Sequence, residues 1–346
     1  IRMSLTPKQI PEGAIRYNTD SNKMEVWIGD KWMQVAVSSP NLGDTTTASN
    51  ASPAGARGVY SGGDPGSGHT EVIQFLTIPT TGDTIDFGDL TQSRRGCKSC
   101  GSRTRGLTMS GAGPVPRSDR IDFVTISSTG DATDFGNLDS AQALVCVSNS
   151  TRAFALGGDT PAIQNQMQFV TIASQGEDMK DAGDLTEQSS GGSAFGSPTR
   201  GLLAGFASPI NTNIDFFNFA STGDAQDFGT LDTASNSGDA LSSTTRGLVV
   251  GGIGSPNPYL SRIESITMAT LGNGVDFGDL TVGRSMFGAT SDCIRGVMIG
   301  GYISPGANTN VIDYVNIATT GDAIDFGDQD TKARNAGATS SAHGGL

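Results

Sequence analysis

This chain of 346 residues is predicted to be all-β, a six-bladed β-propeller preceded by a small N-terminal β-meander. Two markers that recur in step predict it. One is the triplet Asp-Phe-Gly, centred on Phe87, Phe135, Phe228, Phe277 and Phe326, with the degenerate copy Asp181-Ala182-Gly183 where the third is due. The other is an arginine at Arg57, Arg105, Arg152, Arg200, Arg246 and Arg295, spaced 46 to 49 residues apart. Each arginine opens a short apolar run that usually ends in paired glycines. A fixed period of this length with strand-like content marks propeller blades or a solenoid. The 48 glycines suit many tight turns and argue against long helices.

Residues 1–38 lie outside the repeat. The run from Gly13 to Trp32 reads as a three-stranded meander, with one turn at Asn18 to Asn22 and another at Gly29-Asp30. Both tryptophans of the chain are here. A segment of about 35 residues buries too little surface to stand alone. Tyr17, Trp27 and Trp32 are therefore candidates for anchoring it to the propeller, to a copy of itself or to another protein. Residues 39–46 read as a linker, and the propeller occupies 47–346. The chain opens at Ile1 rather than Met, which leaves processing or further upstream residues open.

The repeat units run about 57–104, 105–151, 152–199, 200–245, 246–294 and 295–342. Each holds four short extended segments bounded by Gly, Asn, Asp, Ser or Pro. In the fifth unit strand b runs from Arg246 to Gly251-Gly252, c from Ile263 to Met268, and d through Asp276-Phe277-Gly278. Strand a lies between Arg284 and Thr290, ahead of the next arginine. Ile121, Phe123, Val124 and Ile126 put apolar groups on both faces of one strand, as expected of a sheet covered on each side by a neighbour. Segment a occurs a seventh time near Ala336–Ala342, without a seventh b. A ring of six blades with one chain end completing the first blade accounts for this, and Ala48–Ala54 and Ala336–Ala342 both stay open for that place.

The order of these features resembles the kelch repeat: a strand closed by Gly-Gly, then a strand, a turn, and an aromatic residue in the outer strand. The likeness covers roughly residues 45–346. It departs where Phe replaces the Trp expected in the outer strand, and where the double glycine becomes Ser110-Gly111 or Gly205-Phe206. From Gly13 to about Val37 the chain also resembles a short module of bacteriophage tail fibres and other virion proteins. The Ser/Thr-Gly-Asp turns are similar to those of propellers from marine and cyanobacterial phages. These resemblances imply a virion component located outside the cell.

Composition narrows the partners. A formal charge of −13 repels nucleic-acid phosphates, so no nucleic acid is expected. No 18-residue apolar run or signal-peptide pattern is present, hence no membrane span is expected. The four cysteines include a lone Cys97-x-x-Cys100, too few ligands for structural zinc. The cysteines read as half-buried strand residues, and no metal or cofactor is expected. Asp-Phe-Gly lacks every companion of the kinase motif and reads as packing, with Phe entering between blades and Gly permitting a close bend. The turns at Gly82-Asp83, Gly130-Asp131, Gly223-Asp224 and Gly321-Asp322 are explained by a side chain bonding its own backbone. The repeated arginines share a face with these turns, where a ring of Arg–carboxylate or Arg–backbone contacts is expected.

The opposite face carries the b–c loops, which differ from copy to copy: 64–70, 113–118, 159–166, 207–213, 254–261 and 303–309. Variable loops on a repeated scaffold are where specificity usually sits. His69, Tyr259, Tyr302 and Asn308 are the candidate contact residues. The two histidines, His69 and His343, stand at opposite ends of the chain and beside no nucleophile motif, so no enzyme is expected. The leading expectation is a structural or adhesive virion protein, such as a tail fibre. It would bind other virion proteins through its N-terminal segment and a host-surface glycan or protein through its loops, with a homo-oligomer open. A purely structural decoration protein and a secreted bacterial glycan-binding or hydrolytic propeller are the alternatives.

Overall fold

The computed structural model describes residues 14–18, 23–28, 31–34, 57–113, 117–139, 144–160, 162–206, 209–254 and 259–346. The expected linker 39–46, the turns at 19–22 and 29–30, and the segment Ala48–Ala54 lie outside them. The chain divides into two compact units, Ile1–Ser49 and Asn50–Leu346. No helix among the described residues is long and apolar enough to cross a membrane.

In the first unit Ile15–Asn18, Lys23–Ile28 and Lys31–Gln34 form an antiparallel three-stranded sheet. Trp27 pairs in register with Trp32, and their rings meet edge to face at 5.3 Å. The Arg16 guanidinium lies 4.2 Å from the Trp32 ring centre and also bonds Glu25 at 2.8 Å. Tyr17 sits opposite Met24.

The second unit is all-β and propeller-like. Its described residues form six antiparallel four-stranded sheets and one small three-stranded sheet. The second sheet is typical: Lys98–Gly101, Arg105–Met109, Arg120–Thr125 and Thr133–Asn137 follow one another as a simple meander. Strand a lies at one edge of each sheet, where it contacts strand a of the next sheet and is called the inner strand, and strand d lies at the other edge. In the first sheet the inner strand is Gly337–Ser340, paired antiparallel with Arg57–Ser61. Of the two segments left open by the sequence, the C-terminal one thus joins the first sheet.

The Asp-Phe-Gly triplet makes a β-bulge. In the second sheet Asp134 pairs with Asp122 and Gly136 with Ile121, so Phe135 is the extra residue. The register shifts at the same place in the other five sheets. The bulge turns Phe135 into a cluster shared by two sheets, with Leu107 and Ile121 on one side and Val170, Ile172 and Met179 on the other. Glycine follows because the next sheet's c–d turn presses on it. A Cβ at Gly278, where φ is 153°, would lie 2.4 Å from the Gly321 carbonyl oxygen. Both the close approach of a neighbour and a φ that residues with a side chain rarely adopt require glycine there.

Three contacts join successive sheets, and each recurs six times. Every repeated arginine donates to a carbonyl at the end of strand c in the next sheet, at 2.9–3.1 Å: Arg57 to Ile126, Arg105 to Ile172, Arg152 to Phe219, Arg200 to Met268, Arg246 to Ile317 and Arg295 to Ile78. Of the two partners expected for these arginines, backbone oxygen is the one found. Five of them also lie over an aromatic ring of their own sheet, as Arg57 does over Phe75.

The c–d turn supplies the second contact. Asp131, Asp178, Asp224, Asn273, Asp322 and Asp83 each accept, at 2.9–3.1 Å, an amide just beyond the bulge of the preceding sheet. This corrects the expectation that these side chains cap their own backbone. The short polar side chain reaches across because the turn's backbone is already bonded there, as Gly130 N is to Phe87 O at 2.7 Å.

The third contact involves a polar residue buried in strand c: Gln74, Asp122, Gln168, Asp215, Glu264 and Asp313. Each accepts an amide in the last part of strand d or just beyond it in the preceding sheet, at Thr331, Thr91, Asp139, Thr186, Thr233 and Thr281 respectively. Strand c is therefore not greasy on both faces, and its buried polar residue obeys the requirement that buried polar groups be bonded. The sixth sheet meets the first through all three contacts, by Arg295, Asp83 and Gln74.

Candidate functional site

The face carrying the b–c and d–a connections opens on a cavity of about 680 Å³, lined by residues from all six d–a connections. Its rim is ordered by backbone bonds between d–a connections. Gly96 N bonds Asn335 O, Asn335 N bonds Met286 O, and Met286 N bonds Ser237 O, each at 2.7 Å. Gly96, Ser237, Met286 and Asn335 all have φ between 55° and 69°, so their amides follow the rim instead of continuing a strand.

The charged side chains lining the cavity are Arg95, Lys98, Arg117 and Arg334. Their supports are rigid. Arg95 exchanges both backbone bonds with Ala112, and Arg334 does so with Asp64. The Arg334 guanidinium lies 4.3 Å from the centre of the Tyr302 ring and 3.0 Å from Asp64 Oδ2. Arg95, nearly half exposed, reaches the same carboxylate oxygen at 3.2 Å. Asp64 also accepts Gly66 N at 2.8 Å. Burial would raise the Asp64 pKa, but the Gly66 amide, Arg334 and the Gly68 amide outweigh it and hold the group below the ordinary value. One carboxylate thus answers two guanidinium groups.

Beside this cavity lies a groove of about 240 Å³ lined by Tyr302, Asn308, Lys332 and Arg334 among others. Tyr302–Ile303 and Ala307–Asn308 form the small hairpin that places Tyr302 opposite Asn308. Asn308 donates to the Asp64 carbonyl at 2.7 Å. The Tyr259 ring approaches Tyr302 edge to face at 6.0 Å. Three of the four loop residues singled out from sequence are therefore brought together. The fourth, His69, is exposed on loop 64–70. Sequence reasoning missed Arg95, Lys98, Arg117 and Arg334. Arg95, Lys98 and Arg334 stand in or beside d–a connections and Arg117 in a b–c loop, and no local pattern in the sequence links the four.

Lys98 Nζ and Asp239 Oδ1 stand 3.7 Å apart at the inner strands of the second and fifth sheets. Burial raises the Asp239 pKa, with Lys98 and the Ala289 and Ala240 amides opposing that shift. Further along the inner strands is a narrow space of about 60 Å³, with His343 in its lining. His343 follows strand a of the first sheet while His69 precedes strand c of the same sheet, so the two histidines lie at opposite ends of it. The residues after Ser340 cross the inner strands: Ala342 O accepts Cys293 Sγ, His343 meets Gly101, and Gly345 packs on Ser148. All four cysteines are free. Cys97, Cys100 and Cys146 are buried and Cys293 is half-buried. Cys97 precedes an inner strand and Cys293 sits in an a–b turn, so only Cys100 and Cys146 are strand residues.

Among the described residues no group of three or more His, Cys, Asp or Glu could hold a metal ion. No protein-family model matches the chain, and no curated protein matches it in sequence.

Proposed function

We propose that the six sheets are the blades of a closed, kelch-like propeller, and that the chain is a non-enzymatic binding protein of a virion appendage. In this reading the N-terminal meander attaches to other virion proteins through Trp27 and Trp32. The loop face presents Tyr259, Tyr302 and Asn308, with His69 on a neighbouring loop, to a host-surface receptor. The observation that carries the reading is the contrast between the two ends of the sheets. At one end the same arginine and turn contacts recur six times. At the other, connections of differing sequence surround a cavity with aromatic and cationic walls. A rigid frame with varied loops is the usual arrangement for recognition. The virion setting is supported by the likeness of Gly13–Val37 to tail-fibre modules.

The test uses the full-length chain. Labelled protein should bind host cells, Tyr302→Ala should weaken that binding at least tenfold, and Trp27→Ala should impair incorporation into particles while leaving cell binding intact. Incorporation without cell binding would favour the decoration role. Turnover of a polysaccharide would replace the whole reading with a hydrolase.

A further inference from the structure

We infer that the 680 Å³ cavity is a subsite for an acidic saccharide, one whose carboxylate is taken by Arg95 and its cationic neighbours. This rests on the loop face being the binding face. Charge comes first. The chain is acidic by 13 charges, yet every charged side chain lining this cavity is basic. The carboxylates that meet them do not cancel them all. Arg117 pairs with Asp159 and Lys98 with Asp239, but Arg95 and Arg334 share the single carboxylate of Asp64. Among the described residues one cationic charge is therefore left over, and Arg95 is the more exposed of the two sharing arginines, 48% against 25%. A planar guanidinium fits a carboxylate with two parallel bonds.

Preorganisation comes second. Reciprocal backbone bonds hold Arg95 to Ala112 and Arg334 to Asp64, and Arg334 is further fixed against Tyr302. The Arg334 side chain therefore has little order left to lose on binding, while Arg95 is placed by its backbone and its contact with Asp64. The neutral lining supplies the rest of the ligand chemistry. Ser237, Asn236 and Asn335 offer donors and acceptors suited to hydroxyl groups. The volume lies in the range of about 300–1,000 Å³ typical of small-ligand sites. The ion pair of Lys98 with Asp239 lies toward the inner strands, which favours a terminal or side-branch sugar over a threaded chain.

The experiment is calorimetric titration of the full chain with oligogalacturonate and with the same oligosaccharide after reduction of its carboxyl groups. The acidic form should bind, more weakly as salt rises, and the reduced form at least tenfold more weakly. Arg95→Gln should cost at least tenfold in affinity for the acidic form, with an unchanged thermal midpoint showing that the fold is intact. A second variant, Arg117→Gln, guards against a fold defect in the first. Equal binding of both saccharides, no binding of either, insensitivity to both substitutions, or equal binding of a hexaglutamate peptide would each overturn the inference. Cell binding that is lost in Tyr302→Ala but kept in Arg95→Gln would leave the loop-face reading standing without it.

Discussion

His343 Nε2 lies 2.6 Å from the carbonyl oxygen of Gly101, a residue 242 positions earlier, while its Nδ1 accepts Gly345 N at 3.2 Å. This pairing needs the neutral ring, with Nε2 donating and Nδ1 accepting. Burial lowers the His343 pKa to about 4, with the Gly101 carbonyl opposing and Arg103 assisting. In the unfolded chain the ring titrates near 6.5. The unfolded state then binds the extra proton between those values, so stability contributed by His343 is complete above 6.5 and falls as pH drops toward 4. The loss is at most about 3 kcal/mol. Urea unfolding at pH 7.5, 5.5 and 4.5 should show a steeper decline in the wild type than in His343→Gln. Parallel declines would contradict this.

Gly278→Ala should destabilise by roughly 2–4 kcal/mol, since the new methyl meets the backbone of Gly321, which cannot move without opening the next sheet. Gly272 has open space around its would-be Cβ and an ordinary φ. Gly272→Ala should stay within about 0.5 kcal/mol. Thermal melts of the two variants provide the comparison, and equal midpoints would refute the role given to the bulge glycine.

Asp313 and Arg284 are both fully buried, 3.2 Å apart, and Asp313 also holds Thr281 Oγ1 at 2.7 Å. Asp313→Ala strands a buried guanidinium, at a cost of about 3–5 kcal/mol. Double replacement by Asp313→Leu and Arg284→Met should recover part of the loss, because the unpaired charge is gone. A double variant as unstable as the single would point instead to the amide of Thr281 as the main contribution.

Truncation after Asn335 removes the inner strand of the first sheet and bares the edge of Arg57–Ser61. Exposed edges template association. The shortened chain should aggregate or lose cooperative unfolding, measured by sedimentation and by denaturant titration. A monomeric product with an unchanged midpoint would rule out a structural role for this strand.

The period, the strand count per unit and the outer-strand Phe were legible in the sequence because each is a local pattern repeated in register. What lay hidden was which atom each repeated residue touches. Asp131 reads as a turn residue whether it bonds its own turn or Asp89 N of the sheet before, and only the packing decides. Asp122 stands in a strand read as apolar on both faces, and its complete burial shows only in the packing, where Thr91 of the neighbouring sheet has an amide and a hydroxyl to satisfy. Tyr302 and Asn308 were legible as loop residues, but the arginines around them were not. Arg95 and Arg334 are separated by 239 positions in the chain and meet only at Asp64.

The pairing of Gly337–Ser340 with Arg57–Ser61 also dictates an order of events during synthesis. The first sheet emerges from the ribosome with three of its four strands, and the chain must be made from Arg94 to Gly337 before its fourth arrives. Such late, distant pairing is slow and leaves nascent chains sticky. Chaperone occupancy on translating ribosomes should therefore persist until the final strand clears the exit tunnel.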